Sequence, residues 1–284
     1  MNILEVEGLR KEYPEFTLDN VSFSLEPGYI MGFIGRNGAG KTTTMKAMLN
    51  LIGKDGGRVM IDGLDYSKNE IECKKKIGFI MGEFDYYKQS KLKTIACVVK
   101  RMYEDWEEEA YKGYMKHFGL SEEKKVKELS AGMRVKFGLA LALSHNAKLL
   151  ILDEPTSGLD PVSRDDLLDV LRGVIEDGTR SILYSTHIIS DLEKCADYIT
   201  YIHDGRILLS TDVVSFKEKY LLVSGDRDDL ARYSDIIIGH KDHAFGFTGL
   251  ILAENKDRIG SMKTAPADLE SIMIYTEQEA SLNA

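Results

Sequence analysis

A glycine-rich segment, GRNGAGKTTT, directly follows the apolar run YIMGFI and restricts the local fold more than any other feature of the chain. The apolar run has the length and composition of a buried strand. Glycine backbones turn without Cβ clashes, so the segment can form a tight loop after that strand. We predict a helix after the loop, from about Lys41 to Leu51 and ended by Gly53. The succession of strand, loop and helix is typical of α/β domains.

The loop also fits the pattern GxxxxGK[ST] over residues 35–42, and its position between a strand and a helix is the context that this pattern requires. Backbone N–H groups in such a loop point inward, and the helix N-terminus adds positive potential at the same place. Lys41 is expected to reach the β- and γ-phosphates of a nucleotide, and the Thr42 hydroxyl to face Mg²⁺. The segment is therefore predicted to hold a polyphosphate.

A second apolar run, LLILDE, ends in Asp153 and Glu154. Ligands of open α/β sheets bind at the C-terminal ends of such buried strands. Asp153 suits support of Mg²⁺, as a ligand or through one, and Glu154 suits a general base that polarises water. The earlier segment LSAGM starts a helix, for which Ser130 is a natural N-cap and Gly132 allows close approach, so it is a second candidate anion site.

Composition restricts the partners of the chain. A formal net charge of −9 and a pI near 5.3 argue against binding to nucleic acid or to anionic membrane surfaces. The 3 cysteines are widely spaced and odd in number, which favours reduced thiols over a disulfide framework. No uncharged stretch approaches the roughly 20 apolar residues that cross a bilayer, and the N-terminus lacks the features of a secretory leader. We therefore expect a cytoplasmic protein that reaches a membrane only through a partner.

Strand-like and helix-like segments alternate along the chain. ILEVEGL, VSFSL and YIMGFIG are predicted strands, separated by turns at Asp19-Asn20 and Pro27-Gly28, and residues 93–118 have a helical, polar pattern. Later strands alternate with helices to about residue 211, which indicates an α/β domain with a mostly parallel sheet and an antiparallel N-terminal part. Residues 212–284 are predicted to form a small C-terminal α+β subdomain, with strands in LLVSG, DIIIGH and GLILAE and a closing helix in ADLESIMIYTEQE.

The motifs GRNGAGKTT, LSAGM, LLILDEP, SGLD and STH, in this order, resemble the nucleotide-binding subunits of ATP-binding cassette (ABC) transporters. The resemblance spans roughly residues 3–211 and extends to the antibiotic and multidrug efflux type of Gram-positive bacteria. It implies a P-loop NTPase fold of ABC type in residues 1–211: a mixed sheet flanked by helices, an antiparallel N-terminal subdomain and a helical subdomain at about residues 88–145. Residues 212–284 would be the extension.

This resemblance further implies a head-to-tail dimer, in which ATP lies between the glycine loop of one protomer and the LSAGM segment of the other. Ser130 and Gly132 would then face a nucleotide held by the partner. The phosphates would be bound by Gly35, Arg36, Asn37, Gly38, Ala39, Gly40, Lys41, Thr42 and Thr43.

The remaining roles also follow from the resemblance. Thr42 and Asp153 would hold Mg²⁺, and Glu154 would be the catalytic carboxylate. His187 would contact the γ-phosphate and the neighbouring protomer, and Asp160 would cross the dimer seam. Tyr13 matches the aromatic residue that stacks on adenine, a contact with little base selectivity.

The sequence departs from the family pattern in two places. Gly82 and Glu83 stand where a Gln is usual, so we hypothesise altered coupling between Mg²⁺, the attacking water and the membrane partner. The aromatic segment EFDYY, which starts at Glu83, is predicted to contact an intracellular helix of a permease. Ala131 and Met133 replace the usual Gly and Gln of the signature; Ala131 would cost on the order of 1 kcal/mol if its φ had to be positive.

Together these features predict an ATP-binding and ATP-hydrolysing subunit that drives a separately encoded integral membrane permease, with export expected. Its partners would be that permease and a second nucleotide-binding subunit, as a homodimer or a heterodimer, and no nucleic acid. The subunit would lie on the cytoplasmic face of the cell membrane. One alternative is a soluble cassette protein acting on ribosomes or DNA. Another is a P-loop kinase, which would leave LSAGM, SGLD and His187 unexplained.

Overall fold

The computed structural model describes residues 1–81, 87–260 and 262–282. It contains two compact units, one formed by Met1–Ile188 with Lys194–Ser210 and the other by Ile189–Glu193 with Thr211–Ala284. Within the described ranges, no helix combines the length and the apolar character needed to span a membrane.

An antiparallel sheet opens the first unit. The elements of this region are, in chain order, β1 (Leu4–Tyr13), β2 (Phe16–Leu25), β3 (Ile30–Ile34), α1 (Lys41–Met48), β4 (Gly56–Ile61), β5 (Leu64–Asp65), α2 (Glu70–Lys75) and β6 (Ile77–Met81). The sheet has the strand order β2-β1-β4-β5. Its strands alternate buried and exposed residues, as expected for a sheet with one face on a core.

Two boundaries in this region differ from the sequence prediction. Asp19-Asn20 is not a turn, because β2 runs through it; Asn20 takes a φ of 54°, and the β1–β2 register shifts between Leu9 and Lys11. Asn tolerates this left-handed conformation, so the signal of a turn marks a β-bulge instead. Helix α1 ends at Met48, before Gly53, because Asn50 adopts a φ of 53° that stops it earlier.

A helical region follows, with a core of its own. It contains α3 (Leu92–Lys100), α4 (Glu108–His117) and α5 (Ala131–Ser144). The residues buried between these helices include Tyr111, Met115 and Phe137. The helical pattern predicted for residues 93–118 is interrupted after α3, because the amide of Glu107 donates to the carbonyl of Ser144 at the end of α5 (2.8 Å). The interruption between α3 and α4 thus coincides with a tertiary hydrogen bond to the end of α5.

The central sheet is completed by the next elements, β7 (Leu149–Asp153), α6 (Pro161–Ile175), β8 (Ser181–Thr186), α7 (Ile189–Cys195), β9 (Tyr198–His203) and β10 (Arg206–Asp212). Its strand order is β10-β9-β3-β8-β7-β6. The pairs from β9 to β6 are parallel, and Asp153 of β7 is opposite Ser185 of β8. Every residue of β3, β7 and β8 is buried, as the apolar runs of β3 and β7 predicted. The C-terminal ends of these strands meet at one edge of the sheet.

The second unit is an α+β arrangement, as predicted for the C-terminal extension. It contains α8 (Val213–Glu218), β11 (Tyr220–Gly225), α9 (Arg227–Arg232), β12 (Gly239–His243), β13 (Gly246–Leu252), β14 (Lys263–Pro266) and α10 (Leu269–Leu282), with the antiparallel strand order β12-β13-β11-β14. The strand predicted in DIIIGH begins only at Gly239. Ile236 instead packs in the core beside Val223 and Phe247, so burial explains its apolar character.

Candidate nucleotide site

The glycine loop connects β3 to α1 at the C-terminal edge of the sheet. Gly38 and Gly40 take φ values of 85° and 109°, which L side chains adopt only with strain. The side chain of Lys41 is only 6% exposed, and its Nζ donates to the carbonyl oxygens of Gly35 (2.7 Å) and Arg36 (3.3 Å). Lys41 thus lies inside the loop.

Helix α1 is open to an anion at its N-terminus. Its N-cap, Gly40, makes no side-chain cap, and its first turn contains no acidic residue. The first N–H groups of a helix have no partner within the helix, and the dipole favours negative charge there. Helices α5 and α6 differ in this respect, because the side chains of Ser130 and Asp160 cap them. The loop therefore offers a phosphate group both the helix end and the Lys41 ammonium.

Thr42 and Asp153 form a pair of oxygen donors next to the loop. The Thr42 hydroxyl donates to Asp153 Oδ2 (2.9 Å), which leaves the lone pairs of Thr42 Oγ1 directed elsewhere. Asp153 is 6% exposed, and its Oδ1 accepts from the Ser185 hydroxyl (2.6 Å). Mg²⁺ in phosphate sites takes one or two protein oxygen ligands and completes its shell with phosphate and water. This donor set therefore fits the ion.

Glu154 follows Asp153 directly and lies between two basic groups. Its Oε1 is 3.3 Å from Lys41 Nζ, and its Oε2 is 2.8 Å from His187 Nδ1. Its φ of 51° turns the chain out of β7, and its amide donates to Ser185 Oγ (3.0 Å). The geometry thus joins Glu154 and His187, which lie on successive strand ends of the sheet.

One cleft of about 330 Å³ is lined by Lys41, Thr42, Glu154 and His187 together with other residues of the loop. The residues that surround it are Phe16, Arg36, Asn37, Gly38, Gly40, Lys41, Thr42, Thr43, Glu154, Ser157 and His187. Of the other loop residues predicted to bind phosphate, Gly35 has no space for a side chain, since a Cβ would lie 2.5 Å from the Ile202 carbonyl oxygen. Ala39 is buried behind the loop. Ser157 was not predicted, although it belongs to the quoted SGLD motif.

The aromatic residue among those around the cleft is Phe16, at the start of β2. Tyr13, predicted to stack on a base, ends β1 directly opposite Phe16 in the register, so the two rings are on the same face of the hairpin. Tyr13 is 43% exposed, and Lys11 Nζ lies 5.5 Å from the centroid of its ring. Phe16 was missed in the sequence because two residues, Pro14 and Glu15, separate it from the recognised tyrosine.

The second set of predicted residues caps helices. Ser130 Oγ accepts from the amide of Met133 (3.3 Å) at the start of α5, as predicted. Ala131 is helical and absent from the described residues with positive φ, so the strain considered for it does not arise. Gly132 is buried, with Leu159 in ordinary contact range of a Cβ there.

Asp160 is exposed at the start of α6. Its Oδ1 accepts from the amides of Val162 (3.0 Å) and Ser163 (3.1 Å). Hydrogen bonds from the side chain and backbone of Ser163 hold the pKa of Asp160 below its ordinary value. The side chain is therefore charged and pre-oriented at neutral pH. The predictions for Gly82 and Glu83 lie outside the described residues.

A phosphate-binding loop and an acidic strand end that face the same cleft at the carboxyl edge of a parallel sheet define the class of P-loop nucleoside triphosphatases. The comparisons with known proteins narrow the class. The family model described as ABC transporter matches residues 18–157. The lantibiotic transport ATP-binding protein SrtF of Streptococcus pyogenes is 34% identical over 213 residues, 74% of this chain and 91% of that protein. The bacitracin transport ATP-binding protein BcrA of Bacillus licheniformis is 33% identical over 209 residues, 72% of this chain and 68% of its own.

Solved structures agree on the fold. An ATP-binding subunit of an ABC transporter superimposes with a TM-score of 0.68 at 26% identity, covering 76% of this chain and 92% of the other. The cassette MJ0796, a dimer bound to ADP and Pi, has a TM-score of 0.65 at 21% identity and covers 74% of this chain and 98% of its own. The chain belongs to the family of ABC transporter ATP-binding proteins, and it is an ATPase.

Proposed function

We propose that the chain binds ATP with its phosphates in the glycine loop and hydrolyses it with Glu154 as general base. The observation that carries the proposal is the position of Glu154, 3.3 Å from Lys41 Nζ and 2.8 Å from His187 Nδ1 in one cleft. Lys41 would neutralise phosphate charge and hold the Glu154 carboxylate near it. His187 would orient the second carboxylate oxygen and contact the γ-phosphate. Together they would hold the Glu154 carboxylate as a base beside the bond that is broken.

Mg²⁺ would be held by the Thr42 hydroxyl, with Asp153 as its anionic partner. The ion would neutralise charge on the phosphates during hydrolysis. The chain would contribute by orienting the oxygen atoms that bind the ion. Because the Thr42 hydroxyl donates its hydrogen bond to Asp153 Oδ2 (2.9 Å), the lone pairs of the Thr42 oxygen would be available to the ion.

We further propose that the active form is a head-to-tail dimer, with the LSAGM segment of one subunit closing over the nucleotide of the other. Ser130, Gly132 and Asp160 are not among the described residues around the cleft of their own chain, which fits contribution to a partner's site. Ser130 and Asp160 are exposed caps of α5 and α6, and the start of α5 at Ser130 would face phosphate. Both a homodimer and a heterodimer are compatible with these residues.

Glu154→Gln tests hydrolysis and dimerisation together. The amide keeps the shape of the carboxylate but cannot accept a proton, so we expect ATP hydrolysis to fall at least a hundredfold, on the order of a missing general base. ATP should accumulate in closed dimers, measured by size-exclusion chromatography with light scattering at saturating ATP and Mg²⁺. Glu176→Gln makes the same chemical change at the exposed end of α6 and should leave both properties unchanged. A Glu154→Gln subunit that stays monomeric at saturating ATP would contradict the dimer.

The subunit is proposed to drive the export of a compound through a separately encoded membrane permease. The relatives SrtF and BcrA are named for lantibiotic and bacitracin transport, which favours transport over action on ribosomes or DNA. The helical region offers a surface for the permease, an apolar groove of about 250 Å³. Its lining consists of Tyr87, Ile95, Val99, Val126, Leu129, Arg134, Phe137 and Leu141.

Two lysines and an arginine lie at or next to the lining of the groove. Tyr87, the described end of the EFDYY segment, is 73% exposed there. Lys125 and Lys127 flank Val126 in the sequence, and Arg134 Nε is buried without a hydrogen-bond partner among the described residues. A complementary partner segment would insert an apolar side chain and bring an acidic one to Arg134. We therefore propose an amphipathic, acidic cytoplasmic helix of the permease as the occupant.

Val99→Asp tests the groove without touching the cleft. A buried carboxylate in an apolar contact is unfavourable, so the variant should keep its ATPase activity but no longer co-purify with the proposed membrane permease. Ile71→Asp is the control, since Ile71 is 72% exposed on α2, outside the groove. Equal co-purification of the Val99→Asp and Ile71→Asp variants would place the permease elsewhere.

A further inference from the structure

The Ser185 hydroxyl joins the two acidic residues of the cleft. Ser185 is fully buried, with 0% exposure, and lies beside Asp153 in the parallel register of β7 and β8. Its Oγ is 2.6 Å from Asp153 Oδ1 and 3.0 Å from the amide nitrogen of Glu154. We propose that Ser185 is a positioning residue that sets both the Asp153 carboxylate and the Glu154 backbone for hydrolysis, an inference that rests on the proposed function of those two residues.

The directions of the hydrogen bonds follow from the groups themselves. A backbone amide only donates, so Ser185 Oγ must accept from Glu154. The Ser185 proton is then directed to Asp153, because an ionised carboxylate only accepts. On the other oxygen of Asp153 the Thr42 hydroxyl donates in the same sense (2.9 Å). One continuous chain of hydrogen bonds therefore connects the backbone of the base to the proposed Mg²⁺ ligand.

Glu154 has particular need of an anchor. Its φ of 51° is a left-handed conformation that is unfavourable for a residue with a Cβ. Such a conformation persists where surrounding contacts hold it, and the amide here is shared between Ser185 Oγ and the Ser185 carbonyl oxygen (3.2 Å). The turn that this conformation creates is what sends the Glu154 side chain towards Lys41 and His187. Loss of the hydroxyl leaves the Glu154 amide with the Ser185 carbonyl oxygen as its acceptor.

Asp153 would be affected as well. It is 6% exposed, so water replaces a lost partner poorly, and hydrogen bonds to charged groups are stronger than those between neutral groups. Without the Ser185 hydroxyl, Asp153 Oδ1 loses its hydrogen bond and the carboxylate can rotate away from Thr42. The two effects together predict weaker Mg²⁺ dependence of binding and slower hydrolysis, with the glycine loop intact.

The experiment compares three substitutions at one position. Ser185→Ala removes the hydroxyl, whereas Ser185→Thr and Ser185→Val have nearly the same shape and differ in keeping or losing it. Ser181→Ala is the control on the same strand, because Ser181 is equally buried and bonds to Gly28 and Glu26 away from the cleft. For each variant, kcat and KM for ATP are measured, together with the Kd of ATPγS in EDTA and in Mg²⁺. Thermal unfolding establishes that each variant is folded.

We expect Ser185→Ala and Ser185→Val to lower kcat on the order of tenfold to a hundredfold, and to reduce the gain in ATPγS affinity on adding Mg²⁺. Their Kd in EDTA should equal that of wild type, and Ser185→Thr should restore most of kcat. Equal defects in the Thr and Val variants, or a Ser181→Ala defect as large as that of Ser185→Ala, would reduce Ser185 to a structural role and overturn the inference. A wild-type protein that neither binds nor hydrolyses ATP would instead overturn the proposed function.

Discussion

Substitution of Gly40 by alanine is the sharpest test of how the glycine loop is built. Gly40 has a φ of 109°, and a Cβ at this position would lie 2.8 Å from the Phe16 ring and 2.7 Å from a Leu18 methyl group. Both neighbours are side chains of β2 packed under the loop. The alanine methyl group must therefore displace Phe16 or shift the loop itself.

The magnitude follows from two separate contributions. The positive φ costs a residue with a Cβ about 1–2 kcal/mol. Insertion of a methyl group into a packed contact adds about 1–3 kcal/mol. Gly38→Ala carries only the first contribution, because φ is 85° and nothing lies within 4 Å of its Cβ. Gly40→Ala should therefore be less stable than Gly38→Ala by about 1–3 kcal/mol.

Unfolding in urea can be monitored by the fluorescence of Trp106, the single tryptophan of the chain, which lies in the first unit. Gly53→Ala is the reference, since Gly53 is exposed with open space around its Cβ and no positive φ, and it should unfold like wild type or slightly later. ATP affinity should fall most for Gly40→Ala, because the displaced Phe16 lines the cleft. Coincident unfolding midpoints for the Gly40 and Gly38 variants would refute the packing argument.

Three further outcomes can be checked. Tyr13→Ala should weaken the binding of ATP and of GTP equally, by roughly tenfold, because base stacking contributes about 1–3 kcal/mol with little selectivity between bases. Fluorescence titration with each nucleotide measures the two losses of affinity, and a loss for only one of them would contradict the stacking role. Chelation of divalent cations with EDTA should abolish ATP hydrolysis but not ATP binding, because Lys41 can contact the phosphates without a metal ion. Equilibrium dialysis measures the binding, and loss of both binding and hydrolysis would contradict the prediction. Burial against Tyr103 lowers the pKa of His145 below its ordinary value of 6.5, so the unfolded chain takes up more protons below that pH. Thermal stability should therefore fall as pH drops from about 6.5 to 5, and His145→Gln should reduce this fall, whereas identical pH profiles would exclude the histidine as a cause.

Much of the fold was predictable from local pattern. The buried strands β3 and β7 appear in the sequence as apolar runs, and the glycine loop and the α5 cap appear as motifs with a defined local geometry. The family was likewise indicated by the order of its motifs. The prediction was wrong where one local signal is compatible with two structures. At Asn20, a residue type that favours turns produces a β-bulge inside β2 instead.

By itself, the sequence determined which residues are candidates for phosphate binding, Mg²⁺ binding and proton transfer, because residue types and their local spacing are properties of the chain. Only the tertiary structure decided that Ser185 joins Asp153 to Glu154, that His187 reaches the same carboxylate as Lys41, and that Phe16 underlies the loop. These contacts depend on the register between strands that are distant in sequence. That register depends on how the strands pack together in the whole sheet, because the hydrophobic pattern acts through the face that each strand buries.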